Sequence, residues 1–147
     1  MKLRSLLIAG TAAVSVTLGA GLTPAQAGGS SFFVEQRGAY NEFGGSQYGQ
    51  RNRMTLHQYG YGNTSLHNQQ GWRNRAVVGQ QGRGHYADSY QRGGRNITGI
   101  AQFGAHQRAT TTQRGSGNAL AVIQGGRGNK ANVVQSGRGN VTVIVQD

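Results

Sequence analysis

The sequence predicts an all-β fold: a β-solenoid of five 22-residue coils with two strands per coil. Three observations carry that prediction. Gln recurs at a constant spacing of eleven, at Gln36, Gln47, Gln58, Gln69, Gln80, Gln91, Gln102, Gln113, Gln124, Gln135 and Gln146. Gly follows two residues after each of the first ten, at Gly38, Gly49, Gly60, Gly71, Gly82, Gly93, Gly104, Gly115, Gly126 and Gly137. Five residues after the Gln stands Asn41, Asn52, Asn63, Asn74, Asn96, Asn118, Asn129 or Asn140, with His85 and Gln107 in the remaining two units.

An eleven-residue period also fits a right-handed helical supercoil at about 3.67 residues per turn. Every unit would then hold at least one Gly inside a helix, at about 1 kcal/mol each relative to Ala. One strand plus one tight turn per unit avoids that cost. Gly at unit position 2 and Asn at position 5, counting Gln as zero, suit a turn that enters positive φ. The ten position-2 glycines are therefore predicted turn residues. The stretch after Asn favours β-branched and aromatic residues, as a strand would.

Strand side chains alternate between two faces, so positions 7, 9 and the next Gln share one face. Position 7 reads Phe43, Met54, Ser65, Ala76, Ala87, Thr98, Ala109, Leu120, Ala131 and Thr142. Position 9 reads Gly45, Leu56, His67, Val78, Ser89, Ile100, Thr111, Val122, Val133 and Ile144. Neither column contains Asp, Glu, Lys or Arg, whereas position 6 on the opposite face holds Glu42, Arg53, Arg75, Arg108 and Lys130. One face is a predicted core. An unpaired buried amide costs roughly 1 to 3 kcal/mol, so the Gln and Asn rows need partners. Units stacked about 4.8 Å apart let identical amides bond to one another in ladders, and a one-residue slip would turn the row outward.

Composition narrows the chemistry. The chain has 147 residues, 26 Gly, one Pro, no Cys, and 15 Lys and Arg against four Asp and Glu, a formal charge of +11. No disulfide or thiolate metal site is possible, and four carboxylates leave little for acid-base or Ca²⁺ chemistry. The histidines, His57, His67, His85 and His106, have no ligand spacing. They are read as turn or surface residues, with His67 as a core imidazole. No enzyme activity, cofactor or metal is expected.

Three segments are predicted. Residues 1–27 carry Lys2 and Arg4, an apolar run from Leu6 to Leu22, and Ala25-Gln26-Ala27, the pattern of a secretory signal peptide. Residues 28–35 form a short N-terminal segment and 36–147 the ten repeats. Residues 28–147 keep a net charge of +9, since two of the cations lie in the leader.

Val141-Thr142-Val143-Ile144-Val145 has no Gly, Pro or charge and is the strongest strand former. Val141, Val143, Ile144 and Val145 are the predicted assembly edge, where an open strand templates the next copy. The first unit, with Glu42, Gly44 and Gly45, is expected to fray. Asp88 is a negatively charged interruption in the middle of the array.

These residues resemble the curlin repeat, S-x5-Q-x-G-x-G-N-x-A-x3-Q. Gln124, Gly126, Gly128, Asn129, Ala131 and Gln135 fit its second half completely, and the units starting at Gln58, Gln113 and Gln135 keep the Gln-x-Gly-x-Gly-Asn core. The resemblance spans residues 36–146. It implies a secreted subunit of curli, the extracellular amyloid fibres of bacterial biofilms, cross-β on polymerisation and supporting cell adhesion. The implied partners are other copies of the chain, other curlin subunits, and a secretion pore with accessory proteins. Asn replaces the pattern's Ser in most units and the second Gly is often missing, which leaves the subunit type open; the high basicity and the missing Gly lean toward a minor or divergent subunit.

Other classes fit less well. Arg-Gly dipeptides with Tyr and Trp72 resemble RNA-binding tracts, but the leader and unbroken period argue against that reading. An ice-binding solenoid would need a regular Thr row, and Thr110-Thr111-Thr112 occurs once. Outward Arg rows would form a cationic surface able to attract anionic polymers, such as extracellular DNA or acidic polysaccharide, in a salt-dependent way.

Overall fold

The computed structural model describes residues 29–147, so the leader expected over 1–27 lies outside the described residues. The fold is a two-strand-per-coil β-solenoid. Its strands are β1 (Ser31–Ala39), β2 (Glu42–Gln50), β3 (Arg53–Tyr61), β4 (Thr64–Trp72), β5 (Arg75–Arg83), β6 (Tyr86–Gly94), β7 (Ile97–Ala105), β8 (Arg108–Ser116), β9 (Ala119–Gln124), β10 (Lys130–Arg138) and β11 (Val141–Gln146). Odd strands form a six-stranded sheet in the order β1-β3-β5-β7-β9-β11, and even strands a five-stranded sheet, β10-β8-β6-β4-β2. All pairings are parallel, and each paired strand residue sits opposite the one 22 positions away, as in Gln58↔Gln80 and Gln69↔Gln91.

The alternation sets the core. Positions 7 and 9 point inward, and Met54, Leu56, Ala76, Val78, Ala87, Ala109 and Val122 are almost completely buried. Large and small residues compensate within a strand. Phe43 lies over Gly45, where an added Cβ would meet the Phe43 ring at 2.5 Å. In β4 the inward pair is polar instead, Ser65 and His67, with Ser89 on the next strand; all three are buried.

The ladder starts earlier than the Gln period suggested. Ser31–Glu35, assigned to the N-terminal segment, belong to β1, which pairs with β3 along its whole length. Gly29 at φ 71° takes the place of the left-handed turn residue, and the Ser30 hydroxyl accepts the Asn52 N–H at 3.1 Å. Phe32 and Val34 fill positions 7 and 9. The signal was in these residues, but no Gln marks the unit. β2, expected to fray, is a complete nine-residue strand at the edge of the five-stranded sheet.

The position-2 glycines are a correction. Gly38, Gly49, Gly60, Gly71, Gly82, Gly93, Gly104, Gly115 and Gly137 lie inside strands, two residues before the turn; Gly126, after the short β9, lies outside. The nine have φ from 106° to 132°. In all but Gly137, an added Cβ would collide with the backbone carbonyl of the Gly on the neighbouring coil. They are Gly because coils touch backbone to backbone there. The residue that turns the chain stands at position 4: Tyr40, Arg51, Gly62, Arg73, Gly84, Arg95, His106, Gly117, Gly128 and Gly139, at φ from 55° to 79°.

Candidate assembly site: amide rows, turn edges and outer strands

The Gln side chains form two continuous ladders. Gln36, Gln58, Gln80, Gln102, Gln124 and Gln146 run along the six-stranded sheet; Gln47, Gln69, Gln91, Gln113 and Gln135 run along the other. Each Nε2 donates to the Oε1 of the next Gln at 2.5–2.9 Å. Every rung from Gln47 onward also donates to a main-chain carbonyl sixteen residues earlier, at the first residue of a strand in the opposite sheet, at 3.0–3.3 Å; Gln58 to Glu42 O is one such bond. The same amide therefore holds coil to coil and sheet to sheet. That bond across the core was not foreseen from the spacing.

The ladders have one polarity. All donors point toward the β10–β11 end and all acceptors toward the β1–β2 end. At the latter, Gln47 Oε1 is buried with no partner among the described residues. Among the described residues β11, which contains the expected assembly edge, pairs only with β9. Its Val141, Val143 and Val145 face outward and are more than 60% exposed, while Ile144 packs inward against the core.

The Asn rows work differently from the amide-to-amide ladder expected of them. Only Asn118 Nδ2 reaches a neighbouring side chain, Asn96 Oδ1, at 3.2 Å. Elsewhere Oδ1 accepts the backbone N–H of the residue 22 positions on, as from Asn41 to Asn63 and from Asn52 through Asn74, Asn96 and Asn118 to Asn140. Nδ2 donates to the carbonyl four residues back, closing its own turn, and, except in Asn129 and Asn140, to a Gly carbonyl on the next coil. Asn129 and Asn140 close only their own turns.

The two exceptions to the row are informative. His85, read as a turn or surface residue, lies in the turn between β5 and β6 and is only 1% exposed. Its Nε2–H donates to Gln81 O at 3.1 Å and its Nδ1 accepts the Gln107 N–H at 3.4 Å, so a neutral imidazole reproduces the donor and acceptor of Asn. Burial, and to a lesser extent the neighbouring His106, lowers its pKa from the ordinary His value, which keeps the ring neutral. Gln107 keeps the donor, to Phe103 O at 2.9 Å, but its buried Oε1 has no partner among the described residues. The longer side chain carries the oxygen past the N–H.

His67 is buried as expected. Its Nε2 contacts Ser65 Oγ at 2.6 Å, while Nδ1 has no partner among the described residues. Desolvation pushes its pKa down to about 4. His57 lies on the outer face, 3.1 Å from Glu35, and His106 is an exposed position-4 turn residue. No group of three His, Asp or Glu converges among the described residues.

The turns joining even to odd strands share one edge. Arg51, Arg73 and Arg95 stand in register at position 4, tied by Arg73 N–H to Gln50 O and Arg95 N–H to Trp72 O, both 2.9 Å. Arg53 and Arg75 pair beside them at position 6. A non-Gly residue at left-handed φ costs about 1 kcal/mol. Stacked guanidinium groups roughly 5 Å apart repel by about 1 kcal/mol even in water. Comparison of the chain with protein-family models, with curated proteins and with solved structures finds no match.

Proposed function

We propose that the chain is a curlin-type structural subunit, exported and incorporated into an extracellular amyloid fibre of a biofilm matrix. Copies add head to tail at open strand edges. The observation that carries this reading is the pair of Gln ladders, which share one polarity and finish in strands whose outer edges are unpaired among the described residues. An incoming copy continues both rows without a register change: the donors at the β10–β11 end of one meet the acceptors at the β1–β2 end of the next. Parallel β-strand addition of this kind supplies main-chain hydrogen bonds at every residue of the new strand. Export, pore and biofilm rest on the curlin resemblance.

Placing proline at the outermost strand tests the edge. Val143→Pro removes a main-chain donor from β11 and should slow thioflavin-monitored growth at least tenfold. Unchanged kinetics would count against β11 as the growing edge. Five of the ten position-4 residues are not Gly, which favours a nucleating minor subunit as a second reading. Substoichiometric acceleration of another curlin would distinguish it.

A further inference from the structure

The groove on the even-to-odd turn edge is lined by Arg51, Arg53, Arg73, Arg75 and Arg95 together with Ile97. The chain's four carboxylates lie elsewhere: Glu35 and Asp88 face outward from the two sheets, Glu42 starts a strand at the opposite edge, and Asp147 lies beside Gly125. The only ion pairs among the described residues are those of Glu35 with Arg37 and His57. Five guanidinium groups thus line one groove without a carboxylate partner. Two hold their place by packing: Arg73 and Arg95 lie 5.5 and 4.7 Å from the Trp72 ring centroid. A cation held against an aromatic ring is oriented without being neutralised.

The choice of residue at position 4 points the same way. The later turns of this edge, at Gly117 and Gly139, use Gly, which adopts the left-handed conformation without strain. Arg at 51, 73 and 95 accepts backbone strain and like-charge stacking together, and neither serves the fold.

We infer that this groove binds a linear polyuronate, a polysaccharide with one carboxylate per sugar, lying along the stack axis. The Arg columns advance by one strand spacing, about 4.8 Å, close to the length of one sugar in such a chain. The carboxylates on the side of the chain turned toward the groove meet the planar forks of guanidinium groups, the geometry suited to bidentate pairing. Duplex DNA fits less well, because its phosphates rise about 3.4 Å per residue along each strand and fall out of step with the Arg columns. The site belongs to a single copy and does not depend on assembly.

The test compares two triple variants of the full chain before any fibre forms, using fluorescence anisotropy with a labelled oligogalacturonate. Arg51→Gly/Arg73→Gly/Arg95→Gly removes three of the groove's five guanidinium groups and relieves the strained turns. Arg83→Gln/Arg114→Gln/Arg127→Gln removes the same charge elsewhere. The groove variant should lose at least tenfold in affinity with no fall in melting temperature, while the control loses less than threefold. Equal losses would reduce the site to general charge attraction and overturn the assignment. So would undetectable binding by the unmodified chain, or tighter binding of duplex DNA with the same dependence on the three arginines.

Discussion

The two turn edges of the solenoid are built from one unit yet differ in continuity. On the edge joining even to odd strands, position 5 is Asn at 52, 74, 96, 118 and 140, and Oδ1 of each of the first four accepts the next coil's N–H. The opposite edge reads Asn41, Asn63, His85, Gln107 and Asn129, and the chain of acceptors runs through His85 and stops at Gln107. What registers the coils at a turn is therefore a short side chain offering one donor and one acceptor. Neutral imidazole qualifies, and an amide one methylene longer does not.

The largest expected effect should ignore that difference. Gly82→Ala, before the interrupted edge, and Gly93→Ala, before the continuous one, both drive a Cβ into the next coil's carbonyl. Each should destabilise the fold by about 3 kcal/mol or more in denaturant titrations. A mild Gly82→Ala paired with a severe Gly93→Ala would show that the coils are looser along the interrupted edge.

Acid should act next. His67 and His85 both have folded pKa values below the ordinary 6.5. The unfolded chain therefore binds the protons first, and stability that is complete above pH 6.5 is lost as pH falls toward 4. His67 alone, at about 4, accounts for on the order of 3 kcal/mol. His67→Val should flatten most of the slope, and His85→Asn should remove the share belonging to the interrupted edge. A pH profile unchanged by either substitution would contradict these burial assignments.

The smallest effect sharpens the comparison directly. Gln107→Asn shortens the side chain so that its oxygen can accept the Asn129 N–H, and should stabilise the chain by about 1 kcal/mol. The equivalent swap on the continuous edge, Asn96→Gln, should cost a similar amount. Loss of stability in Gln107→Asn would mean that the edge is broken for a reason other than side-chain length.

Much of this architecture is legible in the sequence because its determinants are periodic. The Gln spacing marks the rungs, and the charge-free columns at positions 7 and 9 mark the core. What escapes depends on contacts between coils. Gly82 looks like a turn residue because positive φ is common in turns, yet it is demanded by a carbonyl on the next coil. Arg51, Arg73 and Arg95 have no local feature marking them as left-handed. The role of His85 requires knowing which nitrogen carries the proton. Phe32 and Val34 follow the inward pattern but lack the Gln that makes the other units visible.

Fibre diffraction of the assembled chain tests the stacking of copies most directly. In-register addition through the Gln ladders predicts a sharp meridional reflection near 4.8 Å, continuous between the coils of one copy and the junction with the next. A chain that stays soluble at high concentration and yields no such reflection would contradict it.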